Sequence, residues 1–312
     1  MDEVSGWLDD SGPGALACLV TAPEDLSFSL WTQDMFLAQE RGTLLTPPRF
    51  ERYQDLEAAE ALARGADRAS YPSRVYFEGG NVIAAGDILL IGADTLAQNG
   101  GKLPGLAREL DPTRQPVVLG CADPVPAETT RPTDRPEPGW HETVHWKVSE
   151  GSRQPLFHLD LFIAPAGVTE TGRPRFLVGC ARRGAALIDQ PLRAEAMADQ
   201  LDEIADQLEA RGAHVVRNPM PLIWKDQTEE RQRTWFHLPV NNVLAEDRGA
   251  DGRTIWMPCF ASEAWPELSA VDDTNAAIWA LMGYSVVRVP GLMALAENLG
   301  ALHCMAKVVA RS

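Results

Sequence analysis

Arg74-Val75-Tyr76-Phe77-Glu78-Gly79-Gly80-Asn81-Val82-Ile83-Ala84-Ala85-Gly86-Asp87-Ile88-Leu89-Leu90-Ile91 is the stretch on which the fold turns. Residues 74–78 and 81–85 read as two strands across a Gly-Gly turn. Gly86-Asp87 is a second tight turn into the apolar strand 88–91. A helical stretch follows, and 116–120 closes the unit as a further strand. The order is strand, turn, strand, helix, strand.

The same order recurs downstream. Residues 159–164 turn through 169–173 into 176–180 and then a helix over 192–210. Leu192, Ala196, Leu201, Ala205 and Leu208 follow a three-to-four spacing there. Gly212 ends that helix, and 213–217 reads as its closing strand. Another copy uses 235–238 and 242–245, a hairpin through 247–252, the strand 254–259, a helix over 272–282 and the strand 284–289. An earlier copy runs from Trp31 through Leu44 with 57–63 as its helix. A last one, split between 302–310 and 15–21, closes a ring. The repeat predicts an α/β, five-bladed propeller of ββαβ modules with pseudo-five-fold symmetry. The reading is one domain over 1–312, interrupted by a Pro-rich surface excursion at 122–140 that holds Pro124, Pro126, Pro132, Pro136 and Pro138.

The chain of 312 residues is 45% hydrophobic, enough for a buried core. Its 28 Lys and Arg against 44 Asp and Glu give a net charge of -16, which disfavours nucleic acid and anionic membranes as partners and suits a small cationic substrate. Met1-Asp2-Glu3-Val4 does not open a leader, and no apolar run is long enough to span a bilayer, so a soluble, cytoplasmic protein is expected. A homo-oligomer is compatible with this composition. Cys18, Cys121, Cys180, Cys259 and Cys304 are odd in number and lack C-x-x-C spacing, so neither a disulfide framework nor a thiolate zinc site is indicated.

Cys304, in Leu302-His303-Cys304-Met305, is one of several chemically capable residues on separate segments. The others are Asp34 in Trp31-Thr32-Gln33-Asp34, Glu78 before the Gly-Gly turn, and His158 and Asp160 in His158-Leu159-Asp160. A thiol nucleophile needs a base within reach, and a flat cation with donors on every edge needs carboxylates around it. These four motifs, in this order, resemble the guanidino-modifying or pentein superfamily: arginine deiminases, agmatine deiminases, dimethylarginine hydrolases and amidinotransferases.

The resemblance implies the same five-bladed propeller, with the active site on its axis. It also implies that Asp34 and Asp160 grip the guanidinium nitrogens, with Trp31 in the same segment and Gln33 standing where the family has arginine. Glu78 falls on the acidic position of the Glu-Gly-Gly turn, followed by Asn81, and is expected to hydrogen-bond the histidine or the substrate. His158 is the general acid and base, protonating the departing amine and then activating water. Cys304 is the nucleophile; a bound cation or charged His158 favours its thiolate, while the carboxylates oppose it. Asn241-Asn242 lie where penteins place polar groups that contact substrate, and Asn241 is the candidate. Arg182 and Arg183 are available for a substrate carboxylate.

The implied function is hydrolysis of a guanidino or amidino carbon-nitrogen bond of arginine, agmatine or a derivative through a covalent cysteine adduct, without metal or organic cofactor. Amidino transfer is an alternative within the fold. A noncatalytic pentein that binds a partner, as ribosome anti-association factors do, is another, and it has no need for the thiol and imidazole to meet. His141-Glu142-Thr143-Val144-His145 matches the zinc-protease pattern H-E-x-x-H, which requires a helix. Pro136, Pro138 and Gly139 precede it, and Val144, Trp146 and Val148 alternate as in a strand, so the two imidazoles are not expected to converge.

Overall fold

The computed structural model describes residues 24–39, 42–50, 54–133, 138–145, 148, 151–249 and 252–309. The first unit has a one-turn helix α1 (Thr32–Met35), strands β1 (Leu37–Ala38) and β2 (Leu44–Thr46), helix α2 (Asp55–Gly65) and strand β3 (Ser70–Pro72). The second has β4 (Val82–Ala85), β5 (Ile88–Gly92), helices α3 (Ala93–Gln98) and α4 (Leu103–Leu110), and β6 (Gln115–Leu119). Strands β7 (Thr130–Pro132) and β8 (His141–Val144) intervene. The third unit is β9 (Ile163–Val168), β10 (Pro174–Cys180), α5 (Ala181–Leu187), α6 (Glu195–Ala210) and β11 (His214–Pro219). After β12 (Leu222–Gln227) and β13 (Gln232–His237), the fourth is β14 (Leu244–Asp247), β15 (Arg253–Pro258), α7 (Leu268–Leu281) and β16 (Ser285–Val289), followed by α8 (Met293–Ala296).

All four units have one topology. The first strand pairs antiparallel with the second, as a short connection permits, and the second pairs parallel with the third. A parallel partner requires a crossover, and the helices supply it. Each crossover helix buries its apolar stripe on its own sheet. In the third unit Met197, Leu201, Ile204 and Leu208 of α6 pack with Phe176 and Val178 of β10. In the fourth, the fully buried Trp279 of α7 meets Ile255 and Met257 of β15.

Several local expectations are corrected. Residues 74–78 form no ladder, and the Gly-Gly turn is a single 3-10 turn, Gly79–Asn81, leading into β4. Helix α6 begins at Glu195, so Leu192 precedes it, and Ala196 is exposed while Met197 and Ala198 face the core. Residues 235–238 do not belong to the fourth unit. Trp235 lies on β13, in a separate four-stranded sheet ordered β12-β13-β8-β7, in which β8 pairs parallel with β13. β7 comes from within the Pro-rich stretch 122–140. The expected closing unit is not described: 15–21 and Cys18 lie outside the described residues, and 302–309 contains no strand.

β8 is a strand, so His141 and His145 stand about 13 Å apart along it. His145 pairs with Glu128 at 2.8 Å, and Trp146 lies outside the described residues. Among the described residues no helix is long and apolar enough to cross a membrane.

Candidate active site

The first strands of the four units, or the residues beside them, share a cavity of about 310 Å³ that Leu37, Ile83, Ala164 and Leu244 help to line. The polar residues stand just ahead of those strands. Asp34 sits on α1 before β1, and Glu78 precedes the 3-10 turn before β4. His158 and Asp160 belong to the 3-10 turn Leu159–Leu161 before β9, and Asn242 lies before β14. Cys304 comes from the turn at 302–305. Equivalent positions of the units thus converge, although the residues lie far apart in sequence.

His158 is buried between two carboxylates. Its Nε2 is 3.0 Å from Glu78 Oε2, its Nδ1 is 3.5 Å from Asp34 Oδ1, and its ring stacks on Phe157 with centroids 4.2 Å apart. Burial alone would push the imidazole down, but Asp34, Glu78 and Asp160 together outweigh it and raise it to about 9. His158 therefore carries a proton at neutral pH.

Cys304 is buried as well. Asn242 donates from Nδ2 to Cys304 Sγ at 3.1 Å, and its Oδ1 accepts the N–H groups of Cys304 at 3.0 Å and Ala301 at 2.9 Å. The thiol lies 3.7 Å from Asp160 Oδ2, which His303 Nδ1 also meets at 2.7 Å. Burial, then Asp160 and Asp34, push the thiol well above its ordinary value, against the Ala301 N–H and the Asn242 amide. Asp160 Oδ1 is buried and has no hydrogen-bond partner among the described residues.

The glycines have a steric reason. A Cβ on Gly80 would stand 2.6 Å from His158 Nδ1 and 2.9 Å from Asp160 Oδ1, and one on Gly79 would collide with the Gln33 carbonyl oxygen. Only glycine lets this backbone pass between the acids and the imidazole. The Gly80 N–H also donates to Asp34 Oδ1 at 3.0 Å.

The remaining candidates support the walls. Asn81 Oδ1 accepts from the Leu159 N–H at 3.2 Å and from Gln154 Nε2 at 2.6 Å, which ties the Glu78 turn to the His158 turn. Trp31 packs its indole against the backbone of Gly300, where a Cβ would clash. Asn241 lines the cavity, but its amide is engaged with Phe162 O at 2.7 Å and with Asn218, so Asn242 is the asparagine that touches the thiol. Arg182 is bonded to Asp199 and Asp202 and Arg183 to the Arg217 carbonyl; neither lines the cavity. Aligning the units by their first strands would have pointed to Asn241, three residues before β14 as Asp160 is before β9, so Asn242 was not separable from its neighbour in the sequence. His303 was legible only as a neighbour of Cys304, and Lys307, which lines the cavity, gave no motif signal.

Chemically, the arrangement groups a thiol, a protonated imidazole and three carboxylates, of which Asp160 lines the cavity while Cys304, His158, Asp34 and Glu78 lie buried beside it. Asp34, Glu78 and His158 also each present a ligand atom within 4.8 Å of one another, a spacing that a metal ion would accept.

No protein-family model matches the chain, and no curated protein matches it. Solved structures do. Agmatine deiminase of C. jejuni superposes with a TM-score of 0.55 at 13% identity, covering 89% of this chain and 71% of that one. A cysteine-to-serine form of the C. jejuni enzyme with substrate bound gives 0.54 at 12% identity, over 88% and 72%. A Porphyromonas gingivalis protein assigned as an arginine deiminase gives 0.55 at 14%, over 89% and 74%. With its small mixed sheets joined by helical crossovers, the chain shares the fold of these structures.

Proposed function

We propose that this protein hydrolyses a carbon-nitrogen bond of a small guanidino or amidino cation through a covalent adduct on Cys304. The observation that carries the reading is Asp160: a buried carboxylate with one oxygen unpartnered and the other 3.7 Å from a buried thiol. Buried acids are ordinarily satisfied, and a planar cation donating to Oδ1 would both satisfy this one and present its carbon to Cys304.

The chemistry follows from the charges. Before substrate binds, His158 is protonated and the Cys304 thiol keeps its proton. A bound guanidinium adds positive charge beside the sulfur and favours the thiolate, whose proton passes to solvent because His158 is already protonated. The thiolate forms a C–S bond to the guanidinium carbon. The C–N bond to the leaving amine breaks as His158 donates its proton, which leaves a thiouronium and a neutral imidazole. Water then attacks that carbon and gives a proton to His158. The C–S bond breaks to restore the thiolate, and the remaining proton of the new hydroxyl leaves with the amine. Asp34 and Asp160 hold the cation, and Glu78 orients the imidazole.

The fold reading extends in the same way: the four described units and a closing unit drawn from the two ends of the chain form a five-bladed propeller, a single domain with the site on its axis. The test is a panel of arginine, agmatine, methylated arginines and short guanidino acids, assayed for released ammonia, amine or urea with the Cys304→Ser protein as control. One compound should be turned over by the wild type alone; no turnover across the panel would refute the reading.

A further inference from the structure

We infer that Lys307 is the charge-balancing residue of this site: its ammonium, held at the Gln33 carbonyl, offsets Asp34 and Asp160 so that Cys304 can carry a thiolate beside one bound monocation. The identity of that monocation rests on the guanidino-substrate reading above; the lysine's role rests on geometry. Lys307 follows Cys304 on the carboxyl-terminal segment and lines the cavity with Asp160 and His303. Its Nζ makes one long hydrogen bond, to Gln33 O at 3.5 Å, and a Cβ added to Gly79 would come within 3.2 Å of it. An ammonium has three protons to donate, so this contact does not consume it. Gln33 also donates its N–H to the Cys304 carbonyl at 3.0 Å and neighbours Asp34, so lysine, acid and thiol residue meet at one backbone position.

The charged groups around the lysine come from every part of the site. Asp34 faces it from α1 and Asp160 from the turn before β9, with His158 and Glu78 behind them and His303 on Asp160. Three carboxylates set against one imidazolium and one ammonium leave a single negative charge in excess, which one monocation cancels. Without the ammonium the excess is double, and a thiolate would add to it. Desolvation pushes Lys307 down, Asp34 and Asp160 push it back, and it settles at about 8, so it is charged at neutral pH. Those two acids are the charges that oppose ionisation of Cys304. Lys307 acts through them, which makes it a positioning residue.

The test is alkylation of Cys304 by iodoacetamide, a neutral probe, near neutral pH, followed by peptide mass and without substrate. Below the thiol's pKa the rate is proportional to the thiolate fraction, and one charge within about 4–6 Å of an ionising group is worth about a unit or more. Lys307→Gln should therefore slow labelling by about tenfold or more. Lys307→Arg keeps the charge and should stay within about threefold of wild type, which separates charge from packing. An unchanged rate in Lys307→Gln, or equal slowing in both variants, would overturn the inference. Failure of the whole guanidino panel would sink the hydrolase reading instead, while this ratio would still decide the role of the lysine.

Discussion

Asp160 and Glu142 are both buried acids, and the protein treats them in opposite ways. Glu142, on β8, receives Arg131 Nε at 2.6 Å, Arg193 at 2.8 Å and Trp235 Nε1 at 3.0 Å, so two guanidinium groups of the chain itself and an indole satisfy it. Asp160 has a histidine and a thiol on one oxygen and, among the described residues, no hydrogen-bond donor on the other. The first shows how this fold stabilises a buried carboxylate when stability is the purpose. The second lacks the guanidinium partner that the first possesses, and in the proposed reaction the substrate supplies it.

The sharpest way to break this comparison begins with the sulfur beside Asp160. Cys304→Ser nearly keeps the volume but gives a hydroxyl these surroundings do not ionise, so turnover should fall by about a thousandfold or more with binding retained. Equal kcat in the variant would separate Asp160 from any nucleophile. Asp160→Asn should weaken substrate binding by about 10–100-fold, because a charge-assisted hydrogen bond is lost, while the melting temperature holds or rises. Glu142→Gln should do the reverse. It leaves Arg193 and Arg131 without their anion and should cost about 2 kcal/mol of stability, with activity per folded molecule unchanged. If the two variants behave alike in urea titration and in steady-state kinetics, the contrast is wrong.

The pH dependence of stability is a smaller effect. His158 is raised from 6.5 to about 9, so its contribution is fully present below pH 6.5 and is lost as pH rises through 9. Lys307 is lowered from 10.5 to about 8, and its contribution has the opposite sign, with stability recovering above pH 8. Between pH 6.5 and 8 the urea midpoint should therefore decline by the equivalent of about 1–2 kcal/mol in wild type and stay flat in His158→Gln. A flat wild-type profile would mean that His158 is not held protonated. The smallest effect expected is none: His141 and His145 should bind no zinc between them, because extended chain holds them about 13 Å apart, and zinc found on both in the purified protein would contradict this.

Much of this was legible because the repeat is written in local signals. Gly86-Asp87, the apolar 88–91 and the spacing along α6 gave strand order and crossover, and the resemblance carried by the turn motifs picked out Asp34, Glu78, His158, Asp160 and Cys304, which the fold brings close together. Trp235 misled because a strand's sequence does not name its partner: 235–238 alternates as a blade strand would, yet it pairs with β12 and β8. Asn242, rather than Asn241, touches the thiol because adjacent residues point to different neighbours, and the turn before β14 fixes which. Lys307 carried no signal, because a lone lysine acquires meaning only from the carboxylates that distant segments bring to it.

Cys121 and Cys259 are also pushed up, to about 12 and about 11, chiefly by burial, so an elevated thiol does not by itself mark the nucleophile. A direct measurement does. Wild-type protein mixed with a turned-over guanidino compound, quenched in acid within a turnover and digested for mass analysis, should carry the amidino adduct on the peptide containing Cys304. An adduct on Cys18, Cys121, Cys180 or Cys259, or full turnover by the Cys304→Ser protein, would contradict the account.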